Sequence, residues 1–254
     1  MIGVFGLLTG FLSGMLGIGG GIVMAPLLLY LPPMLGFESL PMRTIAGLTI
    51  VQGLVSSLLG SFAHHRLHFV SLRLSVVMGG TIFFAALAGG AGAKYVSNQI
   101  LLFAFGGLAL AAAVLMALPL KENLENPETK EMEFQDWRAV LVALTVGLLG
   151  GLVGQGGSFI LIPLMIYFVR IPTRIAIGSN LAIVLLSSVA GFLGKAVTGQ
   201  IEWMMSLPIV GAVFLSVGLG SLTSKKTPVK WLRRILAFII AFVALQIWTS
   251  LLSG

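Results

Sequence analysis

With 254 residues, of which 57% are hydrophobic and only 9% charged, the chain is unlike a water-soluble protein. Soluble domains carry about 25% charged residues, so a soluble fold of this composition would lack the side chains to cover its surface. The net charge of +7 comes from basic residues between apolar runs, where they mark cytoplasmic loops and argue against nucleic-acid binding. Apolar runs of about 20 residues, without period-2 alternation, predict an all-α polytopic membrane protein.

Eight apolar segments follow one another along the chain. Their approximate bounds are 2–31, 43–63, 70–92, 100–118, 137–169, 174–194, 204–222 and 232–252. One hydrophilic stretch, 119–136, holds six of the eight acidic residues and is predicted to be an exposed linker. It divides the chain into an N-terminal membrane repeat, 1–118, and a C-terminal membrane repeat, 137–254.

The two halves are similar in sequence. Offset by 137 positions, Gly10–Tyr30 and Gly147–Tyr167 share 8 of 21 residues, and both are long apolar segments interrupted by glycines. Offset by 131 positions, Pro41–Gly60 and Pro172–Gly191 share 7 of 20. The matched residues include proline, arginine and glycine in the same order, so we predict two pseudo-symmetric repeats.

The distribution of lysine and arginine predicts how these repeats are oriented, because positively charged loops stay in the cytoplasm. If all eight segments cross the bilayer, the basic residues divide 6 to 9 between the two sides. If segments 1 and 5 dip in and return, the division is 12 to 3, and only Arg43, Lys94 and Lys195 face the outer side. We therefore predict re-entrant or broken segments 1 and 5, inverted repeats, and both termini outside the cytoplasm. The alternative is that these two segments are merely kinked.

The glycines in segments 1 and 5 are candidates for binding a substrate through the backbone. Glycine allows positive φ and a close approach of a ligand to the main chain. We expect a second helix to begin near Ile22 and near Phe159, with its first N–H groups directed at the break, where they form a site for an anion. The candidate residues are Gly17, Gly19, Gly20, Gly21, Gly154, Gln155, Gly156, Gly157 and Ser158. The alternative is helix packing alone, a role we assign to Gly6, Gly10, Gly14, Gly147 and Gly151.

The polar side chains of the apolar segments also favour an anion. No Asp or Glu lies inside an apolar run, whereas cation carriers keep intramembrane carboxylates. Thr49, Gln52 and Asn180 can donate hydrogen bonds to an oxyanion and are added to the candidate site. Arg43 and Arg174 begin segments 2 and 6 at equivalent positions, either as gates for anions or as interfacial anchors.

The sequence contains no indication of catalysis or of a cofactor. His64, His65 and His68 share one loop, but no acidic or cysteine ligand joins them, so a solvated loop is favoured over a metal site. No hydrolase, phosphate-binding or dinucleotide-binding motif is present. We predict that the protein is not an enzyme.

In these residues the chain resembles the sulfite exporter TauE/SafE family. The resemblance rests on the doubled glycine break followed by Pro26 or Pro163, and on the Pro-x-Arg…Gly block that follows each. The family's usual Gly-Thr-Ser is replaced by Gly47-Leu48-Thr49 and Gly178-Ser179-Asn180. The resemblance implies transport of sulfur-containing anions, such as sulfite or sulfonates, across the bacterial inner membrane.

The expected function is therefore a multi-pass secondary transporter that exports a small sulfur-containing anion by alternating access. Its partners would be the anionic substrate and the lipid bilayer. Two alternatives stay open from the sequence. One is a passive anion channel, and the other is a non-transporting membrane assembly subunit that docks through the acidic linker.

Overall fold

A computed structural model describes residues 2–65, 70–118, 134–154 and 157–253 of the chain. Within these ranges the regular structure is helical, and no strand is present. The α-helices are α1 (Ile2–Leu16), α2 (Gly21–Met34), α3 (Met42–His65), α4 (Leu72–Gly92), α5 (Asn98–Ala117), α6 (Asp136–Val153), α7 (Ser158–Leu164), α8 (Thr173–Val197), α9 (Trp203–Lys226) and α10 (Val229–Ser253). A π-helical turn, Met165–Val169, continues α7.

Seven helices in the described ranges are long and apolar enough to cross a bilayer, namely α3, α4, α5, α6, α8, α9 and α10. The other three, α1, α2 and α7, are shorter. Large apolar side chains are exposed on the outer helices, for example Phe84, Phe214 and Phe238. Such side chains suit a surface in contact with lipid, and the prediction of an all-α polytopic membrane protein is confirmed.

Apolar segments 1 and 5 each consist of two helices with a break between them. The first break lies between Leu16 and Gly21, and the second lies between Val153 and Ser158. The second helix therefore begins one residue before Ile22 in the first case and one residue before Phe159 in the second.

The breaks depend on glycine for their backbone conformation. In the first break φ is 71° at Gly17, 66° at Gly19 and 73° at Gly20, and in the second it is 84° at Gly154 and 68° at Gly157. In this left-handed region a side chain costs about 1–2 kcal/mol, which glycine avoids.

At each break the chain doubles back along the helix that it has just left. An ideal β-carbon at Gly20 would lie 2.8 Å from the Thr9 carbonyl oxygen, and one at Gly157 would lie 2.9 Å from the Val146 carbonyl oxygen. Thr9 and Val146 each lie about two turns before the end of their helix. The interruptions are therefore reversals of the chain, which a simple kink would not produce.

Helices α1 and α9 pack closely in a parallel direction, and so do α6 and α4. The contacts lie at small residues, and the residue numbers on the two helices increase together. Where a β-carbon is placed on each glycine, the nearest neighbours are Ala212 for Gly6, Ser216 for Gly10, Val217 for Gly14, Ala85 for Gly147 and Ala86 for Gly151. These five glycines therefore have the packing role that the sequence indicated.

Helices α3 and α8, which contain the repeated Pro-x-Arg…Gly blocks, run antiparallel to each other. Gly60 contacts Leu181, Gly53 contacts Ser188, and Gly191 contacts Ile50. Residue numbers on α8 rise as those on α3 fall. The two helices lie against each other in the interior, where both present long buried faces.

The two halves of the chain are interleaved. The most extensive interfaces join α1 to α9, and α4 to both α6 and α8. Further contacts join α3 to α8 and α9, and α5 to α10. Most of the predicted linker, 119–133, lies outside the described residues, and the division into two repeats at this linker stays a prediction.

Candidate functional site

The two glycine breaks meet in the interior of the protein. Ser158, the first residue of α7, donates a hydrogen bond through Oγ to the carbonyl oxygen of Ile18 in the first break. An ideal β-carbon at Gly19 would lie 3.2 Å from the same Oγ atom. All these residues are buried. The reversals in segments 1 and 5 therefore touch each other directly.

Each break is also held by the long helix that belongs to the other half. Asn180 on α8 donates through Nδ2 to the Gly17 carbonyl oxygen at 2.5 Å. Thr49 on α3 donates through Oγ1 to the Gly154 carbonyl oxygen at 3.1 Å. Thr49 and Asn180 are equivalent positions of the repeated blocks, and Gly17 and Gly154 are equivalent positions of the breaks. The pairing is reciprocal, as in an isologous interface between two subunits.

Gln52 lies against the first break, and its side-chain amide has no hydrogen-bond partner among the described residues. Its side chain is fully buried, and a β-carbon on Gly20 would collide with its Nε2 atom. Neither Nε2 nor Oε1 has a hydrogen-bond partner in the described structure. A buried polar group without a partner costs about 1–3 kcal/mol. The equivalent position in the second half is Ile183, which is buried and apolar.

Two serines extend this polar region along the α3–α8 interface. Ser56 lies one turn beyond Gln52 on the same face of α3. Ser188 lies on α8 opposite Gly53, the residue after Gln52, where an ideal β-carbon on Gly53 would be 3.3 Å from the Ser188 Oγ atom. Both hydroxyl groups are buried and lack a partner among the described residues. We call Gln52, Ser56 and Ser188 the central polar cluster.

The predicted substrate residues thus divide between the two breaks. Gly17, Gly19, Gly20, Gln52, Ser158 and Asn180 gather at the first break, and Gly21 begins α2 there. Thr49, Gly154 and Gly157 lie at the second break. Gln155 and Gly156 lie outside the described residues.

The structure describes only part of the predicted gates and of the histidine loop. Arg43 is exposed, and its Nη2 atom donates to the Val96 carbonyl oxygen at 3.1 Å, which ties the start of α3 to the loop before α5. The side chain of Arg174 lies outside the described part of the protein, as do the side chains of His64 and His65 and the whole of His68. The gating roles of the two arginines stay predictions.

Lys195 is a buried residue that the sequence interpretation counted only as a loop charge. Its side chain is fully buried at the end of α8, and Nζ donates to the Leu152 carbonyl oxygen of α6 at 3.3 Å. Helical periodicity in the sequence could have indicated that this lysine is buried. Ser188, Gly191 and Lys195 follow the i, i+3, i+7 spacing of a single helix face, and that face is the one that α8 buries.

No acidic side chain is buried in the part of the chain that the structure describes. Glu38, Asp136 and Glu202 are the acidic residues that the structure describes, and all three are exposed. Between the breaks lie glycine backbone, neutral amide groups and hydroxyl groups. Such a site can offer hydrogen-bond donors to a solute but no negative charge to a cation.

Comparisons with known proteins agree with this architecture. The profile of the family described as sulfite exporter TauE/SafE matches residues 2–247. The probable membrane transporter protein YunE of Bacillus subtilis is 24% identical, with 96% of this chain and 95% of that protein aligned. A probable membrane transporter protein of Xylella fastidiosa is 28% identical over 97% of this chain and 95% of its own length.

The similarity extends to an archaeal protein. A probable membrane transporter protein of Methanocaldococcus jannaschii is 23% identical, with 95% of this chain and 92% of that protein aligned. No solved structure gives a significant match. Because the family profile covers nearly the whole chain, this polytopic membrane protein belongs to the sulfite exporter TauE/SafE family of transporters.

Proposed function

We propose that the protein is a secondary transporter that exports a small sulfur-containing oxyanion, such as sulfite or a sulfonate, across the bacterial inner membrane by alternating access. The observation that carries this proposal is the buried amide of Gln52, which lies without a partner against Gly20 at the start of α2. A substrate that accepted its hydrogen bonds would offset the cost of burying it.

The chemistry of the first break favours a negative solute. The first N–H groups of a helix lack partners within the helix and carry about half a positive charge. Those of α2 lie beside the Gln52 amide, which can donate two further hydrogen bonds. A sulfonate or sulfite group presents three oxygen atoms that accept hydrogen bonds. All the acidic residues that the structure describes are exposed, so none of them is buried beside the first break, where it would repel an anion.

The directions of the helices support inverted repeats. Helices α3 and α8 are equivalent by sequence, both are long enough to span the bilayer, and they pack antiparallel. A symmetry axis along the membrane normal would make equivalent helices parallel. An axis in the membrane plane makes them antiparallel, as in transporters built from inverted-topology repeats with broken helices at the substrate site.

The packing also suggests the moving parts. Helices α1, α3 and α9 form one bundle, and their equivalents α6, α8 and α4 form a second bundle. Within each bundle, glycines bring the backbones into close contact. Between the bundles lie the α3–α8 interface, which contains Ser188, and the single hydrogen bonds that cross the breaks. We infer that the two bundles rock against each other around this polar interface.

Counterflow of labelled sulfite in proteoliposomes tests the proposed function. Vesicles loaded with unlabelled sulfite are expected to take up label faster than empty vesicles, with saturable kinetics. A channel would give flux that neither saturates nor responds to substrate on the opposite side. Such flux, or no uptake with sulfite and a series of sulfonates, would contradict a carrier for this class of anion.

A further inference from the structure

A fully buried lysine lies at the second break. Nζ of Lys195 donates to the carbonyl oxygen of Leu152, one of the last carbonyl groups of α6, which have no partner inside their own helix. An ammonium group has three N–H donors. In the part of the chain that the structure describes, this is the one hydrogen bond made by the Lys195 ammonium.

The register of α3 and α8 places Lys195 at the depth of the break. Gly191 contacts Ile50, and one turn further along the antiparallel pair Lys195 is level with Ala46. A β-carbon on Gly154 would collide with the Ala46 carbonyl oxygen. Lys195 therefore lies between the central polar cluster and the C-terminal end of α8, which we predict to face the outer side, and it is beside the start of the second break.

No negative charge accompanies this ammonium in the described structure. The ion pair found there, between Arg73 and Asp136, lies at the opposite end of the helices. Arg43, one turn before Ala46 at the start of α3, adds a second positive charge near this level and so cannot serve as a counterion. Buried charges in proteins are normally paired, because an isolated one is strongly unfavourable. An anion from solution would supply the partner that the described structure lacks.

We propose that Lys195 binds the negatively charged oxygen atoms of the substrate, forming a subsite between the central polar cluster and the outer side. This inference rests on the proposed function, because it assigns a second contact to the same class of anion. Charge-assisted hydrogen bonds from an ammonium to an oxyanion are about twice as strong as neutral ones. The subsite therefore selects for charge, whereas the Gln52 amide selects for hydrogen-bond acceptors.

Thermal unfolding of the purified protein with two probes tests this subsite. Methanesulfonate is the charged probe, and dimethyl sulfone is a neutral probe of similar shape. Binding raises the unfolding midpoint as the ligand concentration rises, and we expect this for methanesulfonate alone. Lys195→Gln is expected to weaken methanesulfonate binding by at least about tenfold, and Lys195→Arg, which keeps the charge, is expected to retain most of the affinity.

Lys94→Gln is the matched control, because it removes the same charge from an exposed position on the same side. We expect it to leave the affinity unchanged. A Lys195→Gln protein that binds methanesulfonate like the wild type would overturn the inference, even if its midpoint without ligand were lower, since Lys195 would then only cap α6. Should Lys195→Gln not fold, Lys195→Met must show the same loss of affinity.

Counterflow separates this inference from the proposed function. If the wild type transports sulfonates and Lys195→Gln keeps wild-type affinity, the lysine subsite is wrong and the transporter stands. If methanesulfonate binds in a way that depends on Lys195 but no sulfur-containing anion is transported, the subsite stands and the proposed function is wrong. A wild-type protein that no anion stabilises contradicts the lysine subsite.

Discussion

The two glycine breaks share left-handed glycines at the equivalent positions 17 and 154 and 20 and 157, and they differ in the side chains around them. In both, left-handed glycines reverse the chain, and a polar residue of the opposite long helix holds a carbonyl oxygen. Around the first break, however, lie Gln52 and Thr9, whereas the equivalent positions in the second half of the chain are Ile183 and Val146. The glycine reversals and their hydrogen bonds are therefore repeated in the two halves, whereas the polar side chains beside them are not. The repeated backbone suits an alternating motion, and the unpaired polar groups suit a substrate site nearer to the first break.

The largest effect is expected from filling the breaks themselves. Gly20→Leu would collide with Gln52 and Thr9, and Gly157→Leu would collide with Val146. Transport should fall by more than about 100-fold in both variants, because displacements of about 1 Å at a binding site can cost that much. Sulfite counterflow measures the loss, with membrane insertion checked separately.

Two other glycines provide controls for this experiment. Gly36 has φ of 82° and no atom close to where an ideal β-carbon would lie, so Gly36→Ala isolates the cost of the left-handed backbone. Gly211, inside α9, also has open space around it, so Gly211→Ala tests substitution without strain. Near-normal transport in both is expected. Wild-type rates in Gly20→Leu or Gly157→Leu would contradict a role for the close packing at that break.

The next effect distinguishes the two breaks directly. Gln52→Leu should raise the KM for sulfite by about 10- to 100-fold, the value of a hydrogen bond to a charged group. It should also keep or raise the unfolding midpoint, because a buried amide without partners is removed. Ile183→Leu, at the equivalent position, should change KM by less than about threefold because such swaps preserve volume. Equal effects of the two variants would show that the site is not biased to the first break.

The smallest effects are expected at the reciprocal hydrogen bonds. Thr49→Val and Asn180→Leu each remove one bond to a break carbonyl and should each destabilise the protein by about 1 kcal/mol. Denaturant unfolding in detergent compares the two variants. If the two hydrogen bonds stabilise their breaks equally, the two variants lose the same free energy of unfolding. A loss at one position only would show that one break is held by other contacts.

Much of the fold could be predicted from the sequence, because its signals are local. Apolar length indicated the helices, and the consecutive glycines indicated the breaks and the starts of α2 and α7 to within one residue. The reciprocal pairing of Thr49 and Asn180 with the opposite breaks was not predicted. It depends on how α3 and α8 pack, and packing between distant segments leaves no local pattern in one sequence.

The candidate site was predicted less completely than the fold. Gln52 was recognised, because an amide inside an apolar run is conspicuous. Its pairing with Gly20, and the difference from Ile183, needed the register between helices. Lys195 was missed because it follows the last apolar residues of its segment, where hydropathy resembles that of a loop. Burial at a helix end depends on neighbouring helices, here α4 and α6.

The contact between the two breaks can be tested most directly by a disulfide, because the chain has no cysteine of its own. An ideal β-carbon at Gly19 would lie 3.5 Å from the Ser158 β-carbon, within the range of about 3.5–4.5 Å found in disulfides. We predict that Gly19→Cys/Ser158→Cys forms an intramolecular crosslink on oxidation, stops methanesulfonate counterflow, and regains it on reduction, unlike either single variant. Absence of the crosslink, or equal transport by the oxidised and reduced protein, would contradict two breaks that meet and move at the substrate site.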